Sequence, residues 1–186
     1  MNKLIFDQDT QKGYEVVPMD DVVPNIENIL VEAIRNGDYV ASTTYYSPDA
    51  MTEKLFASIV VEDELYYNVP ITRHGIDMNL MQDCYQVNFE KNGDDIWDTV
   101  EGQPDNFMTY LRTNNIGEVY LIGNNYRGNI LNTYIGLTRA KYNVVLVIDA
   151  VNNLTDFILD KFKAYGEKFK NLRFLTTKEV IGELSV

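Results

Sequence analysis

The sequence predicts an α/β fold, a three-layer αβα sandwich on an open, mostly parallel sheet of about six strands. Short apolar runs alternate with helical patterns along the chain, which is the signature of βα units. Several runs, "NVVLVID" among them, are apolar at successive positions, as strands covered by helices on both faces are. A length of 186 residues, 45% of them hydrophobic and 24% charged, suits one globular domain over residues 1–186 with a core of its own.

The strands are read in order at "KLIFD" (3–7), "DYVAST" (38–43), "YQVNFE" (85–90), "EVYLIG" (118–123), "NVVLVID" (143–149) and "LRFLTT" (172–177). Between the first two, "PNIENILVEAIRNG" places Ile26, Ile29, Leu30, Ala33 and Ile34 on one stripe. Pro24 suits its first turn and Gly37 its C-terminal stop. A second helix is read over 129–142, with Ile130, Thr133, Tyr134, Leu137 and Ala140 at helical spacing. A third is read over 153–169, with Leu154, Phe157, Ile158 and Phe162 on its apolar stripe. Tyr45 to Cys84 has little periodicity apart from "LFASIVV" and reads as a long excursion between the second and third strands, the kind of segment that shapes a site.

The formal net charge of −12 argues against a broad nucleic-acid surface or an anionic membrane as partner, because both need clustered Lys and Arg. The opening "MNKLIFDQDTQKG" is too briefly apolar for a signal segment, and no run approaches the length of a membrane span. A single cysteine excludes an internal disulfide and fits a reducing cytoplasm. The expectation is a cytoplasmic protein with no nucleic-acid or membrane partner.

In an open parallel sheet, ligands bind outside the carboxyl ends of the strands where strand order reverses. The segments to inspect are therefore 7–14, 43–47, 91–97, 123–129 and 149–153. The first contains Asp9 in "DTQKGY" and the third contains Lys91 in "KNGDDIW". A carboxylate and a lysine at one sheet edge can poise a base; the plainer reading is a solvated loop carboxylate and a surface lysine. The fourth carries Gly123, a short loop and a helix start near Asn129, which would aim N–H groups and the positive end of a helix at one spot.

Together these pieces resemble the isochorismatase-like cysteine hydrolases, the superfamily that includes nicotinamidases. The match lies in Asp9, Thr10, Gln11 and Tyr14; in Lys91, Asp95 and Trp97; and, without a gap, in Gly123, Ile130, Thr133, Tyr142, Val144, Asp149 and Ala150. The resemblance runs from residue 3 to about residue 150 and implies the strand order 3-2-1-4-5-6. It implies Asp9 as catalytic acid/base, Lys91 as catalytic lysine, and Asn129 at the position of the nucleophilic cysteine. Gln11, Tyr14, Trp97, Asn124 and Asn125 become the substrate-binding candidates, with a cis peptide between the last two, and homo-oligomers are implied as well.

The departures define the functional expectation. An amide cannot take the place of a thiolate as nucleophile. Cys84, just before the third strand, has no helix start to activate it. The family's metal site is expected to be missing, since Tyr45 and Ser47 stand where an Asp and a His would fall and His74 is the sole histidine. No cofactor is expected. Asn129 suits either a helix cap or a ligand contact, and Tyr14 and Trp97 suit either ligand stacking or the core. Three functions follow: a pseudo-hydrolase that keeps a pocket for a small planar amide or carboxylate, a non-covalent hydrolase with Asp9 as general acid, or an oligomeric, partner-binding subunit.

Overall fold

The computed structural model describes residues 1–10, 19–45, 60–61, 64–65, 85–91, 96–97, 106–124, 126–168 and 171–185. Among them run strands β1 (Asn2–Gln8), β2 (Tyr39–Tyr45), β3 (Val60–Val61), β4 (Glu64–Leu65), β5 (Tyr85–Lys91), β6 (Ile116–Gly123), β7 (Asn143–Val151) and β8 (Leu172–Leu175). The helices are α1 (Val23–Asn36), α2 (Asn106–Thr113), α3 (Leu131–Arg139), α4 (Asp156–Gly166) and α5 (Thr177–Leu184).

Six strands form one sheet in the order β5-β2-β1-β6-β7-β8, all pairs parallel, while β3 and β4 make a separate antiparallel pair. The six sheet strands are the six read from the sequence, in the order that the resemblance implies. The chain starts at the centre, fills one side through β2 and β5, and returns to lay β6 against the free edge of β1. The reversal of strand order therefore falls between β1 and β6.

Alternation along β1 divides the core. Leu4 and Phe6 join Phe107, Leu111, Tyr134, Leu137 and Phe162 from α2, α3 and α4 on one face. Ile5 joins Ile26, Ile29, Leu30 and Ala33 of α1, with Val180 and Leu184 of α5, on the other. Gly37 stops α1 at φ 73°, with its N–H on the Ile34 carbonyl and the Asp38 N–H on Ala33.

The structure revises several element readings. The last strand ends at Leu175, not Thr177, because Thr176 opens α5: its hydroxyl accepts from the Glu179 N–H and Glu179 accepts in return from the Thr176 N–H at 2.7 Å. α2, not among the helices expected from the sequence, is eight residues long and has too few turns to display a period. Phe157, placed by its period on the buried stripe of α4, is 69% exposed, with the Lys161 ammonium 4.9 Å from its ring centre. Most of the 45–84 excursion, Cys84 included, lies outside the described residues. No described helix is long and apolar enough to cross a membrane.

Candidate functional site

At the reversal point, Gln8 at the end of β1 pairs with Gly123 at the end of β6. Gly123 holds φ at +112°, and a Cβ there would run into the Gln8 backbone. The close approach lets the Asn124 N–H donate to the Gln8 carbonyl at 2.7 Å, and the Asn152 N–H donate to the Gly123 carbonyl at 2.9 Å. Three strand ends are thereby tied into one floor, and buried polar side chains gather on it.

Two of these are carboxylates. Asp7 follows Ile5 on the α1 face, is wholly buried, and accepts from the Thr10 hydroxyl at 2.5 Å. Burial pushes its carboxyl up to about 7; the charge on Asp9 adds to the rise and the Thr10 hydrogen bond opposes it. Asp9 has left-handed backbone, φ 50°, a conformation that Asp tolerates better than most residues. Its N–H donates to Thr43 Oγ1 at 3.1 Å, and that hydroxyl donates back to Asp9 Oδ1 at 2.7 Å. Asp9 is 0% exposed, so the solvated-loop reading of this residue is overturned.

The rest of the floor is made of amides and hydroxyls. Asn129 is buried and donates through Nδ2 to the Asn124 carbonyl at 3.2 Å. Asn152 Nδ2 donates to Asn124 Oδ1 at 3.1 Å. Asn129 does not occupy the cap position expected of it: a π-helical turn over Tyr126–Ile130 precedes α3, and Ile130, itself in helical backbone, stands at the cap. The wider turn lets the Asn129 amide reach back to the loop. One helical turn further, the Thr133 hydroxyl donates to Gln8 Oε1 at 2.7 Å. Gln8 Nε2, on the same buried side chain, has no hydrogen-bond partner among the described residues.

Of the sequence-derived candidates, Asp9, Asn124 and Asn129 lie around this floor. Lys91 closes β5, opposite Tyr45 at the end of β2, so its backbone stands at the same carboxyl edge of the sheet, two strands out from β1. Trp97 packs across Gly136 of α3, where a Cβ would strike its ring. Its indole N–H donates to the Asn132 carbonyl at 3.1 Å, and its ring centre lies 5.6 Å from that of Phe107. Gln11, Tyr14, Asn125 and His74 lie outside the described residues, as does the peptide proposed as cis. Among the described residues no three His, Cys, Asp or Glu side chains converge to hold a metal ion.

Four residues of the floor had no role assigned from sequence: Asp7, Gln8, Thr43 and Asn152. Each lies in a segment that the carboxyl-end rule marked for inspection. Their signal is a polar residue at the inward end of an otherwise apolar strand, as in "LIFDQD". Chemically, the floor offers amide and hydroxyl hydrogen bonds next to buried carboxyl groups.

No family model and no curated protein matches the sequence. Solved structures do match it in fold. An isochorismatase family protein from Desulfovibrio vulgaris subsp. vulgaris str. Hildenborough superposes at a TM-score of 0.66 with 15% identity, over 100% of this chain and 99% of that one. A cysteine hydrolase from Pseudomonas syringae pv. phaseolicola 1448A gives 0.66 and 14%, over 99% and 92%. The nicotinamidase/pyrazinamidase from Bacillus subtilis gives 0.65 and 18%, over 94% and 100%. The chain thus has the fold shared by isochorismatase/nicotinamidase-like hydrolases.

Proposed function

We propose that this protein is a pseudo-hydrolase of the isochorismatase/nicotinamidase type, one that retains a small-molecule pocket and has lost the covalent cysteine route. The observation that carries the reading is Asn129: buried on a polar floor at the strand-order reversal, it stands where the resemblance puts the nucleophile, and its amide is engaged with the Asn124 carbonyl. Asp9 and Lys91, the acid/base and lysine positions of the same resemblance, both belong to the carboxyl edge of the sheet. Buried carboxylates make a neutral planar amide a better guest than a carboxylate.

Nicotinamide and pyrazinamide are the first probes, since a neighbour in fold is a nicotinamidase/pyrazinamidase. Titration calorimetry on the purified protein is expected to detect binding, and ammonia release is expected to stay at the rate of the buffer blank. Asn129→Cys should then gain labelling by iodoacetamide. Release of ammonia by the unaltered protein at an enzymatic rate would refute the pseudo-hydrolase reading.

A second reading, a non-covalent hydrolase that protonates its substrate, is favoured by one observation: a buried acid pair in which Asp7 holds a proton close to neutral pH. It assigns the general acid to Asp9, two residues from the buried Asp7 carboxyl. Hydrolysis of isochorismate followed by absorbance should then fall to background in Asp9→Asn. An unchanged rate in that variant, or no hydrolysis by the parent, removes this reading.

A further inference from the structure

Among the described residues, the pocket reading leaves a buried donor at the site floor without a use. Gln8 is fully buried at the end of β1, beside the point where strand order reverses. Its carbonyl oxygen is held by the Thr133 hydroxyl at 2.7 Å, which fixes the amide plane, yet its Nε2 and two hydrogens find no partner among the described residues. The neighbouring amides differ: Asn129 Nδ2 is committed to the Asn124 carbonyl, and Asn152 Nδ2 to the Asn124 side chain. Native proteins seldom leave a buried donor unpaired unless it has a task.

We propose that Gln8 is the residue that orients the ligand, its Nε2 donating to the oxygen of a neutral carbonyl compound, with a primary carboxamide on a flat ring as the fitting class. The inference rests on the pocket reading above. An amide oxygen accepts from Gln8, whereas a ligand carboxylate would have to approach Asp9, buried at the same strand end. Thr133 is then a positioning residue, holding Gln8 from the first turn of α3.

The test uses nicotinamide as probe in titration calorimetry, with thermal melting of each variant alongside. Gln8→Met keeps the length of the side chain but removes the donor, and should weaken nicotinamide binding by roughly tenfold or more. The double variant Gln8→Leu with Thr133→Val removes both partners at once, leaving no orphaned polar atom. It should lose nicotinamide binding to a similar extent while melting at or above the temperature of the parent. Full nicotinamide affinity in either variant overturns the role of Gln8 and leaves the pocket reading standing. A marked drop in melting temperature of the double variant also overturns it, because Gln8 would then belong to a satisfied internal network. A parent protein that binds neither nicotinamide nor pyrazinamide overturns both this inference and the pocket reading.

Discussion

Gly123→Ala is expected to destabilise the protein by about 3 kcal/mol or more, the sum of a backbone conformation that L residues avoid and an overpacked contact. Gly123 sits at φ +112°, and the atoms that an added Cβ would meet are the Gln8 carbonyl oxygen and amide nitrogen, with Asp7 Oδ1 next at 2.8 Å. Backbone atoms of a central strand cannot step aside, because Gln8 is in register with both Thr43 and Gly123. The same displacement would break the Asn124-to-Gln8 hydrogen bond on which the site floor is built. Urea denaturation measures the loss. Gly182→Ala is the control: it lies within α5, a Cβ there meets nothing within 4 Å, and it should be neutral or stabilising by up to ~1 kcal/mol. Equal stability of Gly123→Ala and the parent would contradict the close β1–β6 approach.

Asp7→Asn is expected to stabilise the protein above neutral pH and to change little near pH 4. The carboxyl is raised from 3.8 to about 7, chiefly by burial. Between those values the folded chain keeps a proton that the unfolded chain has released, so stability falls as pH rises through the window and levels off above it. At ~1.4 kcal/mol per pH unit, ionising this group costs the folded state roughly 4 kcal/mol by pH 8. Asparagine preserves the shape and the acceptor for Thr10 while removing the titration. Urea melts of both proteins from pH 4 to pH 8 should therefore diverge with rising pH, the variant gaining about 2–4 kcal/mol at the upper end. Parallel pH profiles would show that Asp7 does not titrate in this window. Such a cost, retained in a natural chain, is the kind of strain that accumulates at sites with a use.

Periodicity located all six strands of the main sheet, because strands buried on both faces announce themselves as unbroken apolar runs such as residues 143–149. It also located α1, whose Pro24 and Gly37 mark both ends. α5 escaped although its signature, Thr176 with Glu179 three residues on, stands in plain view: "LRFLTT" extends two threonines past the strand, and β-branched residues suit either state. The site was legible as segments rather than as partnerships. The strand-end rule marked Asp9, Gly123, Asn124 and Asn129, but neither the pairing of Asp9 with Thr43 nor that of Gln8 with Thr133 has a local pattern, since their members are 34 and 125 residues apart.

The sequence by itself determined the class of fold and the position of each sheet strand. These are properties of side-chain chemistry and short-range period. Only the tertiary structure decided that Asp7 and Asp9 are dry, that Asn129 reaches back to the loop instead of capping α3, and that Gln8 Nε2 has no partner among the described residues. Burial and hydrogen-bond partnership depend on which strand ends meet, and β6 returns to β1 only after more than a hundred residues have passed between them.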